Sequence, residues 1–435
     1  MPAAGANAPP AAAQPAVSRA YANYVLGVLF VVYVFNFVDR QVLSILIDPI
    51  KRDLGVSDTM MGFLVGFSFV VFYTFAGIPI ARWADRSSRR NVIGFSLALW
   101  SVMTALSGQA RGFAQLALAR VGVGVGEAGG TPPSHSLISD YFPPERRATA
   151  LALYANGIYV GAGLGIMVGG YALSYFGDWR TAFYVVGLAG LPLVLLVLFS
   201  VRELPRGASE AGPAASETPA LGEVFRFLFS KRSFRWLVVG ACCQAIAGYG
   251  ILNWGPVFLG RVHDMAPAAI GQWLGPTIMF GGCVGVTLGG WLADRIGARD
   301  PRWYMRMPAI ASVAGLPFAV GFLLLGDARS AMFAFVPFYM VSNMYVGPLW
   351  ATTQNLARPA MRATASALLL FILNLVGLGA GPFLVGVLND RLAAEYGPLA
   401  VRYSLLLVAL VGGLASVPFW LGSSSLREDL AARDA

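Results

Sequence analysis

This sequence is short of charge. Only 12% of its 435 residues are Asp, Glu, Lys or Arg, about half the share found in a soluble domain. That leaves too little polar surface to cover a water-soluble body of this size. Histidine is almost absent, with His135 and His263 alone. Neither a histidine-built metal centre nor a nucleophile–base pair can be assembled, so no enzyme and no cofactor are implied. The three cysteines, Cys242, Cys243 and Cys283, lie inside apolar runs without metal-ligand spacing and read as small packing residues. These shortages exclude a cytosolic enzyme and a disulfide-stapled secreted domain. The net charge of +9 would suggest nucleic acid in a soluble chain. Membrane proteins collect basic residues in cytoplasmic loops, so no nucleic-acid partner is inferred.

What is abundant is apolar sequence, 57% of the chain, recurring in runs of roughly 20 residues, the length that spans a bilayer as a helix. Twelve spans are predicted, at 21–47, 60–81, 91–110, 113–141, 148–176 and 181–201, then 236–259, 268–292, 304–325, 331–355, 363–388 and 399–421. The fold class is therefore an all-α membrane protein, with twelve transmembrane helices in two six-helix bundles over 19–201 and 236–422. The linker at 202–235 contains the low-complexity piece GASEAGPAASETP, read as flexible, and 221–229, read as an amphipathic helix on the membrane surface. Residues 1–18 are read as a disordered cytoplasmic tail rather than a signal peptide, with a second tail at 423–435. Of the 31 basic residues, 21 fall on the side holding both termini and eight on the other, with Arg40 and Arg120 inside spans. That bias places both termini in the cytoplasm, in a bacterial inner membrane, with the lipid bilayer as solvent and a monomer as the working unit.

The halves repeat. ARWADRSSRR (81–90) after span 2 matches GWLADRIGAR (290–299) after span 8, and RRATALAL (146–153) matches MRATASAL (361–368). Duplicated halves place a binding site between them, near the bilayer midplane. The first pair of loops resembles the G-x-x-x-D-R-x-G-R-R/K loop of the major facilitator superfamily. One copy keeps Asp85, Arg86, Arg89 and Arg90, and the other keeps Gly290, Asp294, Arg295, Gly297 and Arg299. In span 4, Arg120, Gly124 and Gly126 resemble that family's R-x-x-Q-G-x-G pattern. In span 5, Gly161, Gly165, Gly169 and Gly170 resemble its antiporter signature, with Ile166 where that signature has proline. FNFVDRQVLS (35–44) and ARVGVGVGEAGGTPPSHSLISDYFPPERRATALALY (119–154) are similar to the spinster branch, whose animal members export sphingosine phosphate and lysophospholipids. The resemblance implies that Asp85, supported by Arg86 and Arg90, docks on the start of span 11 and latches the outward-open state, with Asp294 and Arg295 as the second copy. The glycine run 122–126 is no nucleotide fingerprint, because it follows no strand and lies inside a span.

Four ionisable residues lie within spans: Asp39, Arg40, Arg120 and Glu127. A charge at the bilayer centre costs about 2.5–3.5 kcal/mol on insertion scales, so such groups face the bundle interior and pair. Arg120 and Glu127 are seven residues apart, on one helix face but roughly 10 Å apart along the axis. Asp39 and Arg120 sit at similar depth, which makes them an expected interhelical pair. Arg40, turned by ~100° from Asp39, then looks toward the cavity or toward Glu127. Desolvation and a neighbouring arginine pull a carboxyl's protonation in opposite directions, which is the physical basis of proton coupling. Asp39 and Glu127 are thus the expected proton carriers, and Arg40 and Arg120 the substrate-anion or switch residues. Tyr33, Asn36, Tyr154, Tyr159, Tyr249, Asn253, Trp254, Asn343, Tyr345 and Trp350 are candidate cavity residues. His135 is read as a hydrogen-bonded histidine near the cytoplasmic mouth. Sparse amides and an isolated charged cluster suit a small amphipathic substrate with one ionic head. The expected function is proton-coupled secondary transport, with export of a lipid-like amphiphile. The alternatives are import of an organic anion with protons and uncoupled lipid movement.

Overall fold

The computed structural model describes residues 17–209 and 220–433. Most of the expected N-terminal tail and of the low-complexity linker, with the last two positions, lies outside the described residues. Every regular element described is helical, as hydrocarbon requires, because only a helix or a closed barrel satisfies all its backbone groups there. Nine helical stretches among the described residues are long and apolar enough to cross a membrane. The last, Pro359–Ala431, is 73 residues long and holds two rods, parted near Gly397, where φ is +53°. Two further rods occupy the third and fourth predicted positions. Arg89–Ser107 opens on two arginines, and Phe113–Glu127 continues as Thr131–Tyr141 past a break at 128–130. The twelve expected rods are therefore present.

They are numbered as spans: 1, Arg19–Leu54; 2, Asp58–Arg86; 3, Arg89–Ser107; 4, Phe113–Glu127 with Thr131–Tyr141; 5, Pro144–Phe176; 6, Trp179–Ser200. The second half holds 7, Arg232–His263; 8, Pro267–Gly297; 9, Trp303–Leu324; 10, Ala328–Leu356; 11, residues 362–396; and 12, residues 400–431. Both described chain ends fall on one face, the terminal face; the other is the far face.

Several element ends run past expectation. Spans 1 and 7 run on beyond their apolar cores to Leu54 and His263, and their ends carry the charges Asp48, Lys51, Arg52 and Arg261. The expected tail at 423–435 is helical as far as Ala431, because Asp429 accepts from the Ser233 N–H at 2.7 Å and Lys231 donates to the Ala432 carbonyl at 2.6 Å. The linker is not wholly free. Residues 202–209 strap the terminal ends of spans 2 to 4, and Leu221–Ser230 forms the expected helix, burying Val224 and Leu228 while Leu221 and Phe225 stay exposed.

The halves meet along span 5 against span 8 and along span 2 against span 11. The second seam is backbone on backbone. A Cβ at Gly62 would lie 2.6 Å from the Pro382 carbonyl oxygen, so no larger residue fits there. Span 2 breaks at Gly66, and opposite it span 11 is π-helical over Asn374–Ala380. Such bulges leave carbonyls off the regular ladder and recur at functional positions.

Candidate functional site

Between the halves lies a cavity of about 250 Å³. Its first-half wall carries Arg40 and Arg120 beside Phe37, Gln41 and Phe69. Its second-half wall carries Tyr249, Asn253, Asn343, Tyr345 and Trp350, with Tyr159 of span 5 between them. The small-residue sequence of span 4 lets this charge cluster form. Gly124 abuts the Phe69 carbonyl, where a Cβ would come within 2.6 Å, so spans 2 and 4 close up around their charged neighbours.

Of the two directions expected for Arg40 the structure takes the one toward Glu127, while the depth-matched Asp39–Arg120 pair does not form. Arg40 Nε donates to Glu127 Oε2 at 2.5 Å, joining span 1 to span 4. Asp39 and Arg120 form no ion pair with each other. Asp39 is 2% exposed with Oδ1 unpartnered, and Arg120 is 1% exposed with Nε and Nη1 unpartnered. The Phe69 ring centroid lies 4.7 Å from the Arg40 guanidinium carbon and 5.6 Å from that of Arg120. One aromatic face on span 2 is shared by two cations, and Phe37 and Tyr73 hold Arg40 from other sides. Arg40 is thus paired and caged, whereas Arg120 meets the cavity with its donors free.

Other expected residues divide. Tyr249 and Asn253 line the cavity, with the Asn253 amide donating to the Tyr249 carbonyl at 2.8 Å. Tyr159 donates to Asn343 Oδ1 at 3.3 Å across the two halves. Trp254 is a correction. It is fully buried, and its indole N–H donates to the Pro382 carbonyl at 2.9 Å, so it packs span 7 on span 11 and is not part of this cavity's lining. Tyr33 stacks on Tyr154 with centroids 4.3 Å apart, and Asn36 is buried with Oδ1 unpartnered. Both lie outside the cavity lining. His135 sits edge-on to Tyr154. Sequence reasoning missed Phe69, Gln41 and Gln244, since an apolar ring or a lone amide in a span carries no signal of its own.

At the terminal face the expected latch residues stay within their own halves. Asp85 is exposed and touches only Arg206 of the strap, at 3.4 Å, with Arg86 exposed beside it. The Arg90 N–H donates to Glu203. Burial alone would raise the Glu203 carboxyl, but the Arg90 N–H and the Arg89 side chain outweigh it and hold that group below its ordinary value. Asp294 accepts from the Tyr304 hydroxyl at 2.8 Å, and Arg295 covers Trp291. No hydrogen bond or ion pair between described residues joins the halves at this face.

The far face is locked instead. Arg261 at the end of span 7 grips Asp48 of span 1 at 2.5 Å and Asp58 of span 2 at 2.6 Å, and Lys51 adds a second cation to Asp58 at 2.6 Å. Asp390 of span 11 accepts from the N–H groups of Asp58 and Thr59 at 3.1 and 2.7 Å. A carboxylate on the free donors of a helix start was expected at the terminal face. It is found at the opposite one, with span 2 as the recipient.

Comparison with known proteins fits this architecture. The sequence matches the Major Facilitator Superfamily profile over residues 29–382. It is 37% identical over 409 residues to an MFS-type efflux pump of Mycolicibacterium smegmatis, covering 93% of each chain. It is 28% identical over 424 residues to human protein spinster homolog 1, covering 91% of this chain and 79% of the human one. Among solved structures, a bacterial homolog of the human lysosomal transporter Spinster, inward-facing and unoccupied, superposes with a TM-score of 0.85 at 30% identity, covering 95% and 99% of the two chains.

Proposed function

Because the chain belongs to the Major Facilitator Superfamily, and within it to the spinster branch, we propose that this membrane transporter is a proton-coupled exporter of an amphiphile with an anionic or zwitterionic head. One observation carries the proposal: Arg40 is bound to Glu127 while Asp39 and Arg120 stand buried and unpaired beside it. The four formal charges sum to zero, and burial opposes each of them while the opposite charges nearby favour it. An anionic head that reaches Arg120 and a proton that reaches Asp39 or Glu127 each change the charge of the same cluster. Substrate and proton occupancy are thereby linked through one electrostatic site. Asp39 and Glu127 are assigned as proton carriers, Arg120 as the head receptor and Arg40 as the switch. Export agrees with the efflux described for the mycobacterial relative.

The terminal face is assigned to the cytoplasm on the strength of its basic residues, in a bacterial inner membrane and with a monomer as the transporting unit. Reporter fusions near Ser209 and at the C-terminus should both score cytoplasmic. A periplasmic score at either would overturn the orientation. In the resting state Asp85 is unlatched, and its docking on the start of span 11 belongs to the outward-open state.

The coupling test is a proteoliposome assay with an imposed pH gradient, comparing Asp39→Asn, Glu127→Gln, Arg40→Ala and Arg120→Ala. Neutralising a carrier should abolish concentrative, pH-driven transport while sparing downhill exchange. Arg120→Ala should instead weaken binding of an anionic amphiphile. Full pH-driven transport in both acid variants would make the protein an uncoupled lipid facilitator.

A further inference from the structure

The cavity does not stop at the wall between the halves. Its lining continues past span 7 to Ser312, Gly315 and Leu316 of span 9 and to Gly412 and Gly413 of span 12. Spans 9 and 12 pack chiefly within the second half, so the extension is a side slot running behind the inner helices. Its opening has a sequence cause. Span 9 contains Pro308 and Pro317, and span 12 breaks at Ala415 beside a glycine pair. Proline inside a helix removes a backbone bond and bends the rod, while Gly412 and Gly413 let Ala247 and Leu316 pack close against the backbone of span 12.

The slot's polar groups are already spent on one another. Gln244 Nε2 donates to Ser312 Oγ at 2.5 Å and to the Gly412 carbonyl at 3.1 Å, and Ser312 Oγ donates to the Pro308 carbonyl at 2.8 Å. A hydroxylated ligand would find few free partners there, and an aliphatic chain needs none. The same cavity carries, on its first-half wall, Arg120, nine-tenths buried and more, with two nitrogens unpartnered. We infer that the slot between spans 7, 9 and 12 receives the single aliphatic chain of the transported amphiphile, whose head lies at Arg120, and that Gly248 and Gly315 set the length of chain admitted. The inference rests on the amphiphile reading above and adds the place of the tail.

Gly248 is suited to that role because space stands over it, and Gly315 because its neighbours stand just at van der Waals contact and admit a single carbon. A Cβ at Gly248 meets nothing within 4 Å, and one at Gly315 meets its first neighbour, Ser342 Oγ, at 3.7 Å. Alanine fits at either position without displacing a neighbour, and alanine suits a helix better than glycine. Leucine keeps the helix and fills the slot.

The test measures binding of 1-acyl lysophosphatidylglycerols with 8-, 12- and 16-carbon chains to purified protein in nanodiscs. A lipid tail passes here from one apolar medium to another, so the readout is the ratio of variant to wild type at each chain length. Gly315→Leu and Gly248→Leu should weaken the 16-carbon ligand at least tenfold and leave the 8-carbon ligand within twofold. Gly315→Ala should bind all three nearly as the wild type does. Arg120→Ala should weaken all three chain lengths alike, reporting on the head and not on the slot. Equal loss at every length in the leucine variants, or no loss at any, overturns the slot. If Gly315→Leu is not monodisperse, Gly248→Leu carries the comparison. Wild-type protein that binds none of the three overturns the amphiphile reading, and the slot with it.

Discussion

At the residue scale the decisive contrast is between two arginines at one aromatic ring. Arg40 has an ion pair and three rings around it, while Arg120 shares only Phe69. Removing one member of a buried pair leaves an uncompensated charge, at about 3–5 kcal/mol, far more than one ring contact of ~0.5–2 kcal/mol contributes. Glu127→Gln should therefore lower the Tm of detergent-solubilised protein clearly, and Glu127→Gln/Arg40→Gln should recover part of the loss. Asp39→Asn has no ion pair to lose and should leave Tm close to wild type. A Tm loss in Asp39→Asn equal to that of Glu127→Gln would show that Asp39 has a partner in the resting protein, against the unpaired geometry.

At the element scale the strap at 202–209 shows how a short polar segment is fixed. Arg89, 1% exposed and at the start of span 3, is held by Asp140 of span 4, by Glu203 at 2.7 Å and by the Leu204 carbonyl at 2.6 Å. The strap is where the chain leaves one half for the other, so its docking limits how far the linker can move. A carboxyl held below its ordinary value stabilises the docked state in full above the unfolded-state pKa of about 4.3 and loses that contribution as pH falls through the folded value. The Glu203 contacts should accordingly be intact at neutral pH and weaken on acidification below roughly pH 4. Limited proteolysis checks this: cleavage within 202–209 should rise in Glu203→Gln at neutral pH. If wild type and Glu203→Gln are cut equally at neutral pH, Glu203 does not hold the strap.

At the scale of the whole molecule, the conformation follows from where the halves are tied. The cross-half ion pairs lie at the far face, around Arg261, Asp48 and Asp58. A transporter that alternates access must break that lock when the opposite face closes. Arg261→Ala removes both carboxylate partners at once, and each ~1.4 kcal/mol of lost bias shifts the open-to-closed ratio about tenfold. Spin labels at the exposed far-face positions Arg52 and Glu395 should show a longer distance population in Arg261→Ala than in wild type. An unchanged distribution would mean that the glycine seam of spans 2 and 11, not the ion pairs, keeps this face shut.

What the sequence by itself determined was everything that one-dimensional hydropathy controls. Twelve rods, two repeated halves and four buried charges follow from apolar runs and from the cost of charge in hydrocarbon, which acts on each residue separately. The linker helix was equally legible, since its apolar stripe is local. Pairing was not. Asp39 and Arg40 are neighbours pointing ~100° apart; their order offered Arg40 the cavity or Glu127 without deciding between them, and gave no sign that Asp39 and Arg120 form no ion pair. Trp254 reads from its sequence like a cavity tryptophan, and only the approach of span 11 buries it. Arg261 and Asp58 lie 203 positions apart, in stretches that look like ordinary loop charges. Their meeting, and the side slot opened by the bends of spans 9 and 12, depend on how bent rods lean on each other. Tertiary structure alone decided these, because side-chain contact between helices is set by rotation and tilt, which hydropathy leaves free.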